Sequence, residues 1–371
     1  MSEAPRAPAP APAAKHLAIA SALRAQIASG QLTPGGRLPT CLQLERRHRA
    51  SRMTVLKALA HLKRDQFVRT DGRRGSFVVD RPPQLFRYAL VFANRQLSLY
   101  ERALFEEAEQ LQRDTPRRVP AYFGVDGHTD VEDYQRLLDE VRRQRLAGIV
   151  LISHPSLLAG TPLLAQPGLP RVALVERPDV PGVSGVALDT ASYLHLALRH
   201  FRARGRRRLA VLTNAHRSPD WVAALRATAV RYGVTTHPAW ILGADPRFPH
   251  WAVHCVAALL QGARHERPDG LLIADDHLVE HATRGLLELG YRVPRDVEVL
   301  AHANFPCLPP AAVPVTWIGY RARRVLDAAL ETVDRLRAGR RAAAPALIPA
   351  ELGAEDGARH APAKTGRKET P

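Results

Sequence analysis

Residues 15–80 read KHLAIASALRAQIASGQLTPGGRLPTCLQLERRHRASRMTVLKALAHLKRDQFVRTDGRRGSFVVD. Leucines and isoleucines recur at helical spacing at the start of this stretch, which predicts a helix that ends at Gly30. Thr40 and Ser51 are suited to cap a short second helix and a longer third one. The segment FVRTDGRRGSFVV predicts two strands joined by a tight turn at Asp71-Gly72. The first folding unit is therefore expected to hold three helices and a hairpin.

Positive charge is concentrated in the same stretch. The 371-residue chain has a formal net charge of +17, and between Lys15 and Asp80 there are 13 Lys/Arg against 4 Asp/Glu. An arginine bias from a GC-rich genome is one explanation of the overall excess. The local concentration favours a polyanion as the partner, and nucleic acid is the obvious polyanion.

Beyond Arg81-Pro82-Pro83 the pattern changes to alternating strands and helices for over 250 residues. The Pro-Pro pair predicts a short, stiff linker over residues 81–87. The candidate strands are ten short apolar runs: YALVFA, VPAYFGV, AGIVLIS, RVALVE, VSGVAL, RRLAVLT, PAWIL, DGLLIA, VEVLA and VTWIGY. Regular alternation of this kind predicts parallel sheets with helices on both faces, and ten strands suggest two lobes.

Several classes of protein are disfavoured by composition and by missing motifs. Residues 1–14 and 353–371 are small-residue-rich and polar, so we expect two disordered tails, and the N-terminus lacks the apolar run of a secretory signal. Every periodic segment carries charge, so we expect no membrane span and a cytoplasmic location. The three cysteines are far apart, and the sequence has no nucleophile elbow, P-loop or dinucleotide fingerprint. We therefore expect no enzyme, no metal and no cofactor.

The first 80 residues carry a recognisable set of motifs. These are Gly30, Leu32, Pro34-Gly35, Arg37-Leu38-Pro39, Ser51-Arg52, Thr54-Val55, Ala58-Leu59, Leu62, Gly72 and Gly75. Together, in this order and at this spacing over residues 15–80, they resemble the GntR family of bacterial winged helix regulators. The resemblance implies a winged helix-turn-helix that binds double-stranded DNA.

Base readout is expected at the start of the third helix. A recognition helix presents its N-terminal residues to the major groove, and Arg52 there can donate to guanine O6 and N7. Basic residues before the helix and in the wing are suited to phosphates. The predicted DNA-binding residues are Arg37, Thr40, Arg46, Arg47, Ser51, Arg52, Met53, Thr54, Lys57, Gly72, Arg73 and Arg74.

Three positions depart from the family pattern. Leu42 and Leu56 stand where the family usually has arginines that contact DNA, so the operator sequence cannot be carried over. Arg49 stands where the turn between the second and third helices usually has glycine. If that residue keeps a positive φ, arginine costs about 1 kcal/mol relative to glycine.

From residue 88 to residue 352 the chain resembles the LacI-type effector domain, which has the periplasmic-binding-protein fold. The resemblance is strongest over residues 267–304, RPDGLLIADDHLVEHATRGLLELGYRVPRDVEVLAHAN. It implies two lobes with parallel sheets and a ligand cleft between them. The expected fold class is therefore α/β, with an N-terminal winged helix-turn-helix followed by a two-lobed periplasmic-binding-protein-like domain.

Ligands of such sheets bind beyond the carboxyl ends of the strands. Short polar side chains follow several predicted strands, and each of them could instead cap a turn or helix. The predicted effector-binding residues are Asn94, Ser153, His154, Asn214, Asp275, Asp276 and Asn304.

The effector itself is expected to differ from an ordinary sugar. Family members that bind sugars usually hold the hydroxyls with an arginine and an aspartate, which by spacing correspond to Val222 and Ala303 here. The alternatives are a less hydroxyl-rich ligand, a sugar in another pose, or a cleft without a ligand. A misplacement by a few residues would instead let Asp220 or Asn304 take these roles.

The expected function is that of a transcription regulator that binds DNA as a homodimer. Repression is expected in preference to activation. Its DNA affinity would depend on a small-molecule effector, with carbohydrate-related compounds among the candidates. The alternative is a non-specific, architectural DNA-binding protein that has lost its effector.

Overall fold

The computed structural model of the chain describes residues 12–263, 266–340 and 344–353, without the side chains of residues 12–14 and 73. The two expected tails lie outside these residues, apart from residues 12–14 and Gly353. The described chain forms two compact units. The first holds the residues up to 96 together with 105–187 and 326–346, and the second holds 97–104, 188–325 and the residues from 347 onward.

The N-terminal part of the first unit, called the head here, has the expected helices. They are α1 (Pro12–Ala28), α2 (Cys41–His48) and α3 (Arg52–Arg64). Helix α1 begins earlier than expected, so the prediction of a disordered tail through residue 14 is wrong for residues 12–14. Proline suits the first turn of a helix and alanine has the highest helix propensity, which explains the earlier start.

A small apolar core holds the three helices together. Ile19 and Leu23 from α1 pack with Val55 and Leu62 from α3, and all four are buried. Ala58 of α3 is also fully buried, while Leu59 beside it is only partly buried. The opposite face of α3 is consequently free of any role in this core.

The wing is a two-stranded antiparallel hairpin of β1 (Val68–Asp71) and β2 (Gly75–Val78). The predicted tight turn at Asp71-Gly72 is wrong. A three-residue 3-10 turn, Gly72–Arg74, joins the strands, and Asp71 pairs with Gly75 across the hairpin. Gly72 and Gly75 both have positive φ, at 42° and 108°, so the turn is closed by two glycines instead of one.

The linker packs against the rest of the first unit. Pro83–Leu85 forms a 3-10 turn in which Pro83 and Gln84 are buried. The carbonyl oxygen of Gln84 accepts a hydrogen bond of 2.8 Å from Arg337 Nη1. The head is thus tied at its C-terminal side by a short, buried connection.

The first unit continues with a six-stranded sheet in the order β13-β7-β6-β5-β3-β4. Parallel pairing joins the five strands from β7 to β4. The strands are β3 (Tyr88–Val91), β4 (Ala121–Tyr122), β5 (Gly148–Leu151), β6 (Arg171–Ala173), β7 (Val183–Leu188) and β13 (Ala346–Ile348). The intervening helices are α4 (Leu99–Asp114), α5 (Glu132–Arg142) and α6 (Pro162–Ala165).

The second unit holds another six-stranded sheet, in the order β14-β12-β11-β10-β8-β9. Its strands are β8 (Leu209–Asn214), β9 (Ile241–Ala244), β10 (Gly270–Ile273), β11 (Glu298–Phe305), β12 (Thr316–Arg321) and the antiparallel β14 (Glu351–Leu352). Its helices are α7 (Thr190–Ala203), α8 (Pro219–Arg231), α9 (Trp251–Leu259) and α10 (Val279–Glu288), and α11 (Ala322–Arg337) follows β12. Leu271 and Ile273 of β10 pack toward α9 and α10, while Leu272 packs toward α7 and α8. The sheet is therefore covered on both faces.

Both sheets share one topology, which fixes where a ligand site is expected. In each sheet the first strand lies between the second and the third, so β3 neighbours β4 and β5, and β8 neighbours β9 and β10. The crevice outside the carboxyl ends of the first and third strands is the usual ligand position of such sheets. All ten predicted strands are present, and the structure adds β13 and β14, which are too short to show an apolar pattern.

One buried carboxylate joins the head to the sheet-bearing part of the first unit. Asp65 follows the last residue of α3, and its side chain is fully buried. Its oxygens lie 2.7 Å from Arg24 Nη2 of α1 and 3.1 Å from Arg143 Nη1 at the end of α5. The guanidinium groups neutralise the charge that burial would otherwise penalise.

Candidate functional site

The exposed face of α3 is the first candidate site. Arg52, Met53, Leu56 and Lys57 are all exposed in its first two turns, while Val55 between them is buried. Packing of the head thus leaves the residues expected to enter a DNA groove free on one side of the helix.

Two of the predicted DNA-binding residues, Thr40 and Ser51, also cap the starts of helices. Thr40 Oγ1 accepts the backbone N–H of Gln43, whose side-chain oxygen accepts the backbone N–H of Thr40. Ser51 Oγ accepts the backbone N–H of Thr54 at 3.3 Å and lies 2.9 Å from Thr54 Oγ1. These caps account for the helix boundaries, and DNA contact by the same hydroxyls stays a prediction.

Further exposed cations of the head lie in α2, in the segment before it and in the wing. Arg37, Arg46 and Arg47 are exposed, and the Arg37 backbone pairs with Phe77 of the wing. Arg74 at the tip of the wing is exposed beside Asp71, with 3.7 Å between the charged atoms. The side chain of Arg73 lies outside the described residues. Flexible, solvated cations of this kind suit phosphate contacts rather than base readout.

The turn between α2 and α3 keeps the positive φ on which the expected strain at Arg49 depends. Arg49 lies in the left-handed region, with φ 46° and ψ 50°. Its carbonyl oxygen accepts a hydrogen bond of 2.6 Å from Lys15 Nζ. The expected strain of a non-glycine residue at this position is therefore present.

The predicted effector residues fall into two groups, one in each unit. Asn94 follows β3 and is exposed, and Ser153 and His154 follow β5, at the carboxyl edge of the first sheet. His154 Nδ1 lies 2.9 Å from Ser156 Oγ and 3.3 Å from Asp179 Oδ1. His154 thus has local partners.

The second group forms a connected cluster in the second unit. Asp276 is buried, and its Oδ2 accepts a hydrogen bond of 2.7 Å from Asn304 Nδ2. Asn214 Nδ2 donates to Asp275 Oδ2 at 3.4 Å. Asn214 and Asn304 lie within β8 and β11, not after them as expected, because both strands run further than the apolar runs do. The four residues lie together at the carboxyl edge of one sheet.

His277 completes this cluster and was missed in the sequence. Its Nδ1 lies 3.1 Å from Asp275 Oδ1 and 2.9 Å from Asp276 Oδ1. Hydrogen bonds to Asp275 and Asp276 raise the pKa of His277 to about 10, so the ring carries a proton at neutral pH. Burial by itself raises the pKa of Asp276, but the bonds from His277 and Asn304 bring it below the ordinary value. Asp275 also accepts the backbone N–H of His277, so its capping role is real.

Three aromatic side chains pack beside the cluster. The rings of Tyr193 and Tyr320 stack at 6.0 Å, and His302 meets both of them edge-on. Burial lowers the pKa of His302, so this imidazole is neutral at pH 7. Tyr193 Oη and His302 Nδ1 are buried without a hydrogen-bond partner among the described residues. A histidine inside a buried strand was the sequence signal for this part of the site.

A single arginine lies next to the cluster. Arg217 Nη2 donates to the carbonyl oxygen of Ala274 at 3.0 Å, and its guanidinium lies over the ring of Trp221 at 5.0 Å. Trp221 itself belongs to the core beneath α8. The cluster therefore presents two carboxylates bridged by the protonated His277, two amides and neutral aromatic groups, with Arg217 beside them, so hydrogen bonds are available to polar ligand groups.

Part of this cluster also has the geometry of a candidate metal site. Asp275, Asp276 and His277 offer three ligand atoms within 4.8 Å of one another, the one such group in the described part of the chain. Coordination would require His277 to release the proton that the raised pKa retains.

Within residues 12–263, 266–340 and 344–353, no helix combines the length and apolar character that a bilayer crossing needs.

Two family models match separate parts of the chain. The model of bacterial regulatory proteins of the gntR family matches residues 15–78, which cover the head. The model of the periplasmic binding protein-like domain matches residues 198–353, which cover most of the second unit. The two matches confirm both resemblances and the predicted fold class.

A curated relative matches part of the chain. It is the HTH-type transcriptional repressor PurR of Aliivibrio fischeri, 25% identical over 206 residues. The match covers 54% of this chain and 61% of the relative.

Solved structures of regulators share the fold over most of the chain. The alignment with a putative ribose operon repressor from Burkholderia thailandensis covers 74% of this chain and 99% of that repressor's chain. The TM-score is 0.53 and the sequence identity is 19%. The alignment with a LacI transcriptional regulator from a Rhodococcus species covers 72% of this chain and 96% of that regulator's chain. The TM-score is 0.56 and the sequence identity is 18%. These identities establish similarity of fold alone.

Proposed function

We propose that this chain, which joins a GntR-type helix-turn-helix head to a periplasmic-binding-protein-like domain, is a sequence-specific, DNA-binding transcription repressor. The observation that carries the proposal is the exposed first turn of α3. There Arg52 is exposed to solvent, as is Lys57 in the following turn, and neither residue belongs to the core of the head. The curated relative is itself named a transcriptional repressor.

The DNA affinity is proposed to depend on a small-molecule effector. The carboxyl edge of the second sheet supplies the candidate binding groups, with Asp276 and Asn304 at its buried centre. Asn94, Ser153 and His154 are proposed as further effector contacts from the first sheet. Val222 is partly buried in the core and Ala303 is fully buried, so neither position supplies the charged side chain that usually holds sugar hydroxyls, and the proposed effector is not an ordinary sugar.

The active species is proposed to be a cytoplasmic homodimer. One winged helix contacts too little DNA for high specificity. Two heads on adjacent half-sites double the contact area. The cytoplasmic location is proposed because a regulator of this kind acts on chromosomal DNA.

Selection from a random duplex library with the full chain tests the proposal. A repressor is expected to enrich a defined site and to prefer it over random DNA by about 10³-fold or more at moderate salt. A salt titration on both duplexes separates the alternative of an architectural protein, for which the two affinities stay equal at every salt concentration.

A further inference from the structure

The surface of the head that is proposed to contact DNA carries large apolar side chains that are about half exposed. Met53 is 62% exposed and Leu56 is 43% exposed, both on α3, and Leu42 at the start of α2 is 56% exposed. Buried positions Val55 and Ala58 face the core from the other side of α3. Met53 and Leu56 therefore lie outside the apolar core of the head, and the exposure of such large apolar side chains to water is unfavourable.

The charges around these side chains define the partner they suit. From Arg46 to Arg64 the sequence has seven Lys/Arg and no Asp or Glu. Arg52 and Lys57 are exposed on the same side of α3 as Met53 and Leu56. A partner must therefore combine dense negative charge with apolar groups at a depth that a helix can reach.

The major groove of DNA meets both requirements. Phosphates line its walls, and thymine is the one standard base that presents an apolar group, the C5 methyl, on the groove edge. We propose that Met53 and Leu56 read thymine methyl groups, so that the operator is recognised at these positions by apolar contact. This inference rests on the proposed function and specifies which bases the recognition helix selects.

The spacing on α3 adds a positional expectation. Arg52 and Leu56 are one turn apart, and side chains at that spacing have Cβ atoms about 6 Å apart. Base pairs along a strand are separated by about 3.4 Å. A guanine contacted by Arg52 and a thymine contacted by Leu56 should therefore lie within about two base pairs of each other.

Deoxyuridine substitution isolates the methyl group. The operator selected with the full-length protein is resynthesised with each thymine replaced in turn by deoxyuridine, which changes nothing except the loss of the methyl. Wild-type protein is expected to lose roughly fourfold in affinity for each methyl that it reads, the factor that corresponds to burial of one methylene-sized group.

Two variants assign the effect to its side chains. Leu56→Ala and Met53→Ala should each abolish the sensitivity to deoxyuridine at one position. Leu17→Ala removes a leucine that is 50% exposed elsewhere in the head, and it should retain the full sensitivity. Thermal unfolding is expected to be unchanged in all three, because none of these side chains is buried.

The outcomes separate this inference from the function it rests on. A library selection without any enriched site overturns both. An enriched site that tolerates deoxyuridine at every thymine, or whose sensitivity persists in Leu56→Ala and Met53→Ala, overturns the thymine readout alone. Sensitivity that both variants lose, and that Leu17→Ala retains, establishes it.

Discussion

At the scale of single residues, Arg49 shows how one side chain can oppose the local fold. Its left-handed conformation is required by the tight turn between α2 and α3. Arg49→Gly should therefore raise the free energy of unfolding by about 1 kcal/mol. Urea unfolding measures the change.

A matched control comes from the interior of α3. Lys57→Gly places glycine at an exposed helical position and should cost about 1 kcal/mol. If both glycine variants destabilise the protein, Arg49 is not strained and the explanation from backbone conformation fails.

Arg52 is expected to discriminate between DNA sequences. The side chain is exposed at the first position of α3, where two parallel N–H groups can reach guanine O6 and N7. Arg52→Ala should cost about 1–3 kcal/mol on the selected operator and little on random DNA.

The comparison for Arg52 is a cation of the wing tip. Arg74→Ala should weaken binding to operator and random duplex alike, because a solvated phosphate contact carries no sequence information. Fluorescence anisotropy on the two duplexes measures both variants, and an equal loss on both duplexes for Arg52→Ala would reduce Arg52 to a phosphate contact.

His277 should make stability depend on pH. Its pKa is raised from 6.5 to about 10 in the folded protein by its bonds to Asp275 and Asp276. A raised pKa means that the folded state binds the proton more tightly, so the contribution is complete below pH 6.5 and disappears as the pH rises through 10. Urea midpoints of wild type should therefore fall over this range more steeply than those of His277→Gln.

The histidine control is His254, which is exposed on α9. His254→Gln should retain the wild-type slope of stability against pH. A His277→Gln protein with the same slope as wild type would contradict the proposed bridge between the two carboxylates.

At the scale of elements, the carboxylate of Asp65 links three helices. Arg24 of α1 and Arg143 after α5 converge on it, and the Arg24 side chain is almost as buried as Asp65 itself. Asp65→Asn removes the negative charge and leaves Arg24 buried without compensation, so the free energy of unfolding should fall by about 3–5 kcal/mol. Chemical denaturation measures the loss.

An ion pair of the first unit with an exposed arginine provides the contrast. Arg136 and Asp133 of α5 lie 2.6 Å apart, with the arginine largely solvated. Arg136→Met should cost less than about 1 kcal/mol, as surface ion pairs usually do. Equal effects of the two variants would show that the Asp65 network adds nothing beyond a surface contact.

At the scale of the whole molecule, the proposed homodimer can be tested directly. A homodimer is expected to bind two half-sites about 10 base pairs apart, centre to centre. Sedimentation of the full chain at micromolar concentration should give a dimer, alone and on operator DNA. A monomer under both conditions would rule out the proposed mode of DNA binding.

The sequence by itself determined the order of the elements. Caps at Thr40 and Ser51, the glycines of the wing and the ten apolar runs are local signals, and the structure has an element at each of them. Local signals suffice there because capping, turn formation and strand burial depend on residues a few positions apart. The strands β13 and β14 were not predicted, because two or three residues are too few to show the alternation of a strand.

Only the tertiary structure decided which distant side chains meet. Asn304 reaches Asp276, and Arg24 and Arg143 converge on Asp65. Their separations along the chain, up to 78 residues for Asp65 and Arg143, leave no periodic trace. Such contacts follow from strand order and helix packing, which are set by the burial of whole faces. The exposure of Met53 and Leu56 was decided in the same way, because only the completed core shows which face of α3 is left over.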